Sequence, residues 1–293
     1  MTASKAAIAP LAATIIEAAV RHALGEDLGL QGDITTNATV PVSATAVAVL
    51  VNRKPGVVSG IDVARAAFHA LDPSVAFTAK VADGSVIPAK TAIAEIRGPA
   101  RAILTGERVA LNFMGRMSGI ATLTHAYVDA VAGTKAHIAD TRKTTPGLRA
   151  FEKYAVRCGG GQNHRTGLFD AILIKDNHIA AAGGLSNAVE GARANAGHMV
   201  KIEVEVDTLD QLRELMAHHV DAVLLDNMTP AQLREAVAIV NGRALTEASG
   251  GVSLDTVRAI AASGVDLISV GALTHSAPVL DLGLDFANTA AAR

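Results

Sequence analysis

Residues 201–227, KIEVEVDTLDQLRELMAHHVDAVLLDN, decide the fold. Ile202, Val204 and Val206 alternate with Lys201, Glu203, Glu205 and Asp207, the two-residue period of a β-strand. Residues 209–218 carry apolar side chains at helical spacing, and 222–225 form a second short apolar run. Strand, helix and strand in so short a span make a βα unit, whose strands lie parallel. The same rhythm begins near residue 134. Strand-like runs at 136–139, 171–174, 244–246 and 267–270 alternate with helical ones at 148–156, 185–195, 230–240 and 254–263. Six or seven such units suit a closed or nearly closed α/β barrel, a small count against the eight of a full one. A doubly wound sheet is the alternative, but no Gly-rich dinucleotide turn follows Ala139 to support it.

Upstream the pattern differs. Residues 46–52, 57–59, 76–81 and 91–97 read as strands with Gly, Pro and Asp punctuation, and 61–71 as a helix among them. A first helix is expected near 8–24, with Ile8, Leu11, Ile15, Ala19 and Leu24 near helical spacing. The stretches Gly25-Glu26-Asp27-Leu28 and Gly32-Asp33-Ile34-Thr35-Thr36 read as loop and turn. A long helix is expected from 102 to about 131, bent at Gly115 and Gly119. The expected organisation is an N-terminal α+β sandwich domain over 1–117 and a barrel over 118–278. A tail at 279–293 would pack back on the first domain.

Composition narrows the function. Half of the 293 residues are apolar, so a sizeable core can form. The net charge of −2 argues against a nucleic-acid-coating protein, and the absence of Trp argues against base-stacking platforms. Lys5 before an apolar stretch resembles a short signal peptide, but Glu17 and Arg21 interrupt the run and favour an amphipathic helix. No stretch reaches the length of a membrane span. The single cysteine, Cys158, excludes an intramolecular disulfide and fits a reducing compartment such as the cytoplasm. It has no base at nucleophile spacing and reads as a packed thiol.

The chemistry gathers where the barrel strands end. Carboxyl ends of strands form the active site of such barrels. At those ends stand Asp140, Arg142 and Lys143; Lys175; Glu203 and Glu205; Asp226 and Asn227; Glu247 with Ser249-Gly250-Gly251; and Gly271. Arg142, Lys143 and Arg165, with His164, suit a carboxylate, which an Arg fork meets in two parallel hydrogen bonds. Glu205 and Asp226 could hold a divalent ion or face a developing cation. Lys201 and Glu203 are expected to pair with one another deeper in the barrel. The turn Ser249-Gly250-Gly251, before a helix expected near Ser253, could cradle a phosphate on its amides. Gly159-Gly160-Gly161 lacks the Lys-Ser/Thr ending of a P-loop and is read as a backbone device presenting Asn163, His164 and Arg165.

Taken together these segments resemble the quinolinate phosphoribosyltransferase family over nearly the whole chain. The resemblance rests on Glu26-Asp27, Gly32-Asp33-Ile34-Thr35, the run Gly106 to Asn112, Thr141-Arg142-Lys143-Thr144 and the run Gly159 to Arg165. It continues through Leu173 to His178, Glu203-Val204-Glu205, Leu225-Asp226-Asn227, Ser249-Gly250-Gly251 and Gly271-Ala272-Leu273. The resemblance implies a sandwich domain joined to an incomplete barrel, and a homodimer or larger assembly in which Arg108 completes the partner's site. It implies that Arg142, Lys143, His164 and Arg165 hold the two carboxylates of quinolinate, with Thr141 also among the substrate-binding residues. Lys143, Lys175, Glu205 and Asp226 would be the catalytic group around phosphoribosyl pyrophosphate and its magnesium, with Glu205 and Asp226 as metal ligands. Ser249, Gly250, Gly251 and Gly271 would take the terminal phosphate, with Val270 and Ala272 also among the substrate-binding residues. No organic cofactor is expected. A nicotinate or nicotinamide phosphoribosyltransferase is the nearest rival, disfavoured by the surplus of cations. A non-catalytic anion-binding barrel is the second, disfavoured by Glu205 and Asp226.

Overall fold

The computed structural model describes residues 8–286. Lys5 and the tail beyond residue 286 lie outside the described residues. In chain order the elements are α1 (Ala13–Leu28), α2 (Ile34–Thr39), β1 (Thr45–Asn52), β2 (Gly56–Val57), α3 (Ile61–His69), β3 (Ala76–Ala79), β4 (Val86–Ile87), β5 (Ala92–Pro99) and α4 (Ala100–Ala130). They continue with β6 (His137–Ala139), α5 (Arg149–Cys158), β7 (Ile172–Ile174), α6 (Asp176–Ala182), α7 (Leu185–Asn195), β8 (Ile202–Val206) and α8 (Leu209–Leu215). The last are β9 (Ala222–Asp226), α9 (Pro230–Val240), β10 (Leu245–Ser249), α10 (Val257–Ala261), β11 (Leu267–Ser269), α11 (Ala272–His275) and β12 (Leu282–Phe286).

Two compact units result. The first gathers the described residues up to Leu123, Ala150–Gly160, and the described residues from Ser276 onward. Its sheet is antiparallel, in the order β12-β1-β5-β3. The tail strand β12 pairs with β1 from Asn52↔Leu282 to Ala48↔Phe286. Leu50, Ile93 and Ile96 of this sheet and Phe68, Ile103, Met114 and Met117 of the helices are fully buried. A β-carbon on Gly119 would strike the backbone of Pro278, and one on Gly115 would crowd Leu280 O. These glycines therefore admit the returning tail; they do not break α4, which runs unbroken for 31 residues. Helix α1 begins after Pro10, later than expected, and buries Ile16, Val20 and Leu24. Leu24 is buried as expected, but Ile16 and Val20 face inward in place of Ile15 and Ala19, and Ile15 is exposed. Gly25–Leu28 stays helical until Gly29, which turns the chain at φ +50°. Asp33 accepts from Thr36 N and caps α2, where only a turn was expected. Tyr154 Oη donates to Asp83 at 2.7 Å. Burial pushes the Cys158 thiol up to about 12, which suits a packed, unreactive sulfur.

The second unit comprises Thr124–Arg149 and Gly161–His275. Six parallel strands stand in the order β6-β11-β10-β9-β8-β7. Strands β7 to β11 thus add in one direction with no reversal, which a doubly wound sheet would require. Among the described residues β6 and β7 do not pair, so the barrel is open. The strand interiors are buried, as at Val223, Leu224 and Leu225, because helices cover such sheets. Among the described residues no helix is long and apolar enough to cross a membrane.

Candidate active site

A cavity of about 630 Å³ opens at the carboxyl ends of the parallel strands, within the range of small-molecule sites. It is lined by Thr141, Arg142, Lys143, His164, Arg165, Lys175, Glu205, Asp226, Ser249, Gly250 and Gly251, all expected from sequence. Leu173, Leu224, Asn227, Glu247 and Ser269 complete the lining. Of these, Asn227 and Glu247 were legible as polar strand ends. Arg108, exposed on α4, belongs to the other unit. Val270 is buried and its N–H bonds Ala139 O at 2.9 Å, so that amide is spent in the sheet. At Gly271 a β-carbon would press on Lys143 Cδ and His275. Gly271 and Ala272 are not among the lining residues.

Local structure aims each cation. After Gly160, at φ +91°, Gln162 runs beside β6, its N–H bonding Ile138 O and its carbonyl accepting from Asp140 N. Buried Asp140 then accepts from Asn163 Nδ2 at 2.6 Å and from His164 N at 2.9 Å. Arg149 ties the two basic loops together, donating to Thr144 Oγ1 and Thr166 O. Arg142 Nε is buried with no hydrogen-bond partner among the described residues. Burial, and then the neighbouring Arg142 charge, pull the Arg165 guanidinium below its ordinary value. Two guanidiniums crowded in this way stabilise an entering carboxylate.

The acidic side is equally defined. Lys175 follows β7 and caps α6; its N–H is held by His178 Nδ1 at 2.9 Å and its Nζ reaches Glu205 at 2.9 Å. Ser249 and Asp226 are register partners on β10 and β9. Burial, then the charges of Glu205 and Asp207, raise the Asp226 carboxyl. Lys201 does not pair with Glu203: it bonds Asp221 at 2.5 Å, while Glu203 takes His164 Nε2 at 2.9 Å. The helix expected near Ser253 begins only at Val257, because Ser253–Thr256 closes a hydrogen-bonded turn first. A phosphate at Ser249–Gly251 would thus rely on the loop itself, with Gly250 at φ +93° and Gly251 at φ +61°, without a helix dipole.

Glu247 is 1% exposed, and burial followed by the Glu203 charge raises its carboxyl to about 7 from an ordinary 4.5. The folded chain therefore holds this proton longer than the unfolded chain. Its contribution to stability is complete below pH 4.5 and is lost as pH rises towards 7. Glu247→Gln, uncharged throughout, is expected to gain on the wild type at pH 8 relative to pH 5, by on the order of 2–3 kcal/mol. Urea unfolding at both pH values checks this; an equal difference at the two would contradict it.

Fold and site define a barrel-type enzyme for substrates carrying several negative charges. The chain belongs to the quinolinate phosphoribosyltransferase family: the model of that family's N-terminal domain matches residues 33–118 and that of its C-terminal domain residues 120–285. The nicotinate-nucleotide pyrophosphorylase (carboxylating) of Mycobacterium leprae is 48% identical over 271 residues, covering 91% of this chain and 95% of that one. The crystal structure of NadC from Streptococcus pyogenes superposes with TM-score 0.91 at 41% identity, over 96% of this chain and 100% of that one. The nicotinate-nucleotide pyrophosphorylase of Francisella tularensis gives TM-score 0.91 at 39% identity, over 97% and 100%.

Proposed function

We propose that this chain transfers the phosphoribosyl group of phosphoribosyl pyrophosphate to quinolinate with loss of carbon dioxide, giving nicotinate mononucleotide and pyrophosphate for NAD synthesis. One observation carries the reading: the crowded Arg142–Arg165 pair and the Lys175–Glu205–Asp226 group line the same cavity. The first suits a dicarboxylate; the second suits a sugar that becomes cationic as a polyanion departs.

In this reading the pyridine nitrogen forms the new bond to the anomeric carbon as the carbon–oxygen bond to pyrophosphate breaks, pyrophosphate keeping the electron pair. Glu205 and Asp226 would stabilise the oxocarbenium-like sugar, and Lys175 would offset charge on the leaving group. The alkylated ring is cationic, so the carboxylate beside the nitrogen leaves as carbon dioxide; its bonding pair stays on the ring carbon, which takes a proton from solvent. The second carboxylate stays and is held by the arginines. Asp226 and Glu205 also fit magnesium, which is typically held by one or two carboxylates plus substrate phosphates. Bound there, it would neutralise phosphate charge. A cytoplasmic location belongs to the same reading, supported by the single buried thiol.

Arg142→Ala is expected to raise the KM for quinolinate by about tenfold to a hundredfold, and to change that for phosphoribosyl pyrophosphate much less. Equal losses for both substrates would count against the assignment. The reading includes a homodimer whose sites borrow Arg108 from the neighbouring copy. Mixing inactive Arg108→Ala and inactive Lys175→Ala proteins should then restore part of the activity in hybrid dimers; a verified mixed dimer without recovery would refute the shared site.

A further inference from the structure

His164 lines the cavity, yet both of its ring nitrogens are engaged within the protein. Nδ1 accepts the Arg165 N–H at 2.7 Å. Its lone pair is therefore committed, and the ring proton of the neutral imidazole must sit on Nε2. Nε2 in turn donates to Glu203 Oε2 at 2.9 Å. Glu203 is buried on β8, and its charge and hydrogen bond are what Glu247 meets from β10. Ser269 on β11 also bonds Glu247. A relay of side chains thus crosses the floor of the cavity and ends on the backbone amide of Arg165.

That amide is a sensitive point. On one side of it, Asp140 grips Asn163 and the His164 N–H. On the other, Asp170 accepts from Thr166 N and Gly167 N. With Arg149 on Thr166 O as well, the ring of His164 is a further anchor of this loop, and its orientation depends on Glu203.

We propose that Glu203 is a positioning residue for carboxylate recognition, holding His164 from below and, through the imidazole, fixing the Arg165 backbone and the reach of its guanidinium. This rests on the reading that the Arg142–Arg165 pair receives quinolinate. It assigns His164 a role as a spacer between a buried carboxylate and a binding loop, in place of direct contact with substrate.

A competing use of the same residues is a metal site. Ligand atoms of His164, Glu203 and Glu247 lie within 4.8 Å of one another, and Glu247 Oε1 is buried with no hydrogen-bond partner among the described residues. The tautomer decides against it. A nitrogen that carries the ring proton has no lone pair for a cation, and the Arg165 amide prevents the proton from moving to Nδ1.

The test uses the full chain. Glu203→Ala is expected to raise the KM for quinolinate about tenfold or more, with that for phosphoribosyl pyrophosphate within about twofold. Glu203→Gln keeps an oxygen acceptor for Nε2–H and should stay within about threefold of wild type. On a His164→Ala background Glu203→Ala should add nothing, since the two act in series. Additive effects, or a glutamine variant as damaged as the alanine one, would overturn the proposal. Nitrogen-15 NMR of histidine-labelled wild type reads the tautomer directly and serves even where a variant does not fold. An Nε2–H imidazole is expected; an Nδ1–H ring or an imidazolium would overturn it, as would zinc binding abolished by Glu247→Gln. A wild type that turns over no quinolinate would defeat the functional reading, while the NMR result would still judge the relay.

Discussion

Lys175→Ala is expected to lower kcat by about 10²–10³-fold, the usual cost of removing one preorganised charge at a reacting centre. Lys175 is fixed at its backbone by His178, while its side chain is 45% exposed and free to exchange Glu205 for an incoming phosphate oxygen. Without it, Glu205 and Asp226 repel one another with no cation between them, and the raised Asp226 carboxyl would rise further. Because the ammonium is so exposed, the ion pair contributes little to folding. The thermal midpoint should therefore stay nearly unchanged while turnover collapses. A variant that melts early, or keeps its kcat, would show that Lys175 is a structural partner of Glu205 and nothing more.

Gly250→Ala is the second large effect. At φ +93° an L-residue is strained by about 1–3 kcal/mol. The added β-carbon would also overlap Asn227 Oδ1. Asn227 would have to swing away, giving up the bond from its Nδ2 to Asp226 Oδ2 at 2.5 Å. The substitution thus distorts the loop proposed to hold phosphate and releases Asp226, the carboxylate proposed to face the sugar. We expect kcat/KM for phosphoribosyl pyrophosphate to fall about a hundredfold or more. Gly251→Ala is the control: it has φ +61° but meets nothing within 4 Å, so strain alone should make it milder. Equal damage from both would remove Asn227 from the explanation.

The parallel sheet was legible in sequence because its strands are short apolar runs that end where charge begins, so the cations of the cavity could be placed by the strand they follow. Pairing across the barrel was not legible. Alternation puts Lys201 and Glu203 on one strand face, but it cannot reveal that Asp221 claims the lysine or that His164, 39 residues earlier, claims the glutamate. The short helices α2, α6 and α11 span too few residues to show a period. Strand β12, Leu-Gly-Leu-Asp-Phe, has a weak pattern and finds its partner β1 more than two hundred residues away. Gly115 and Gly119 suggested a bend because sequence shows a missing side chain, whereas what fills the space is visible only in the fold. The phosphate loop was recognised from its glycines, but the helix assigned to it starts later, since Ser253 and Thr256 prefer a local turn.

The most direct test is to supply the purified protein with quinolinate, phosphoribosyl pyrophosphate and magnesium, and to follow labelled carbon from the carboxyl group beside the ring nitrogen. The account predicts one labelled carbon dioxide and one pyrophosphate for each nicotinate mononucleotide formed, and no turnover when nicotinate replaces quinolinate. Pyrophosphate released with nicotinate at a comparable rate, or quinolinate consumed with both carboxyl groups retained, would contradict it.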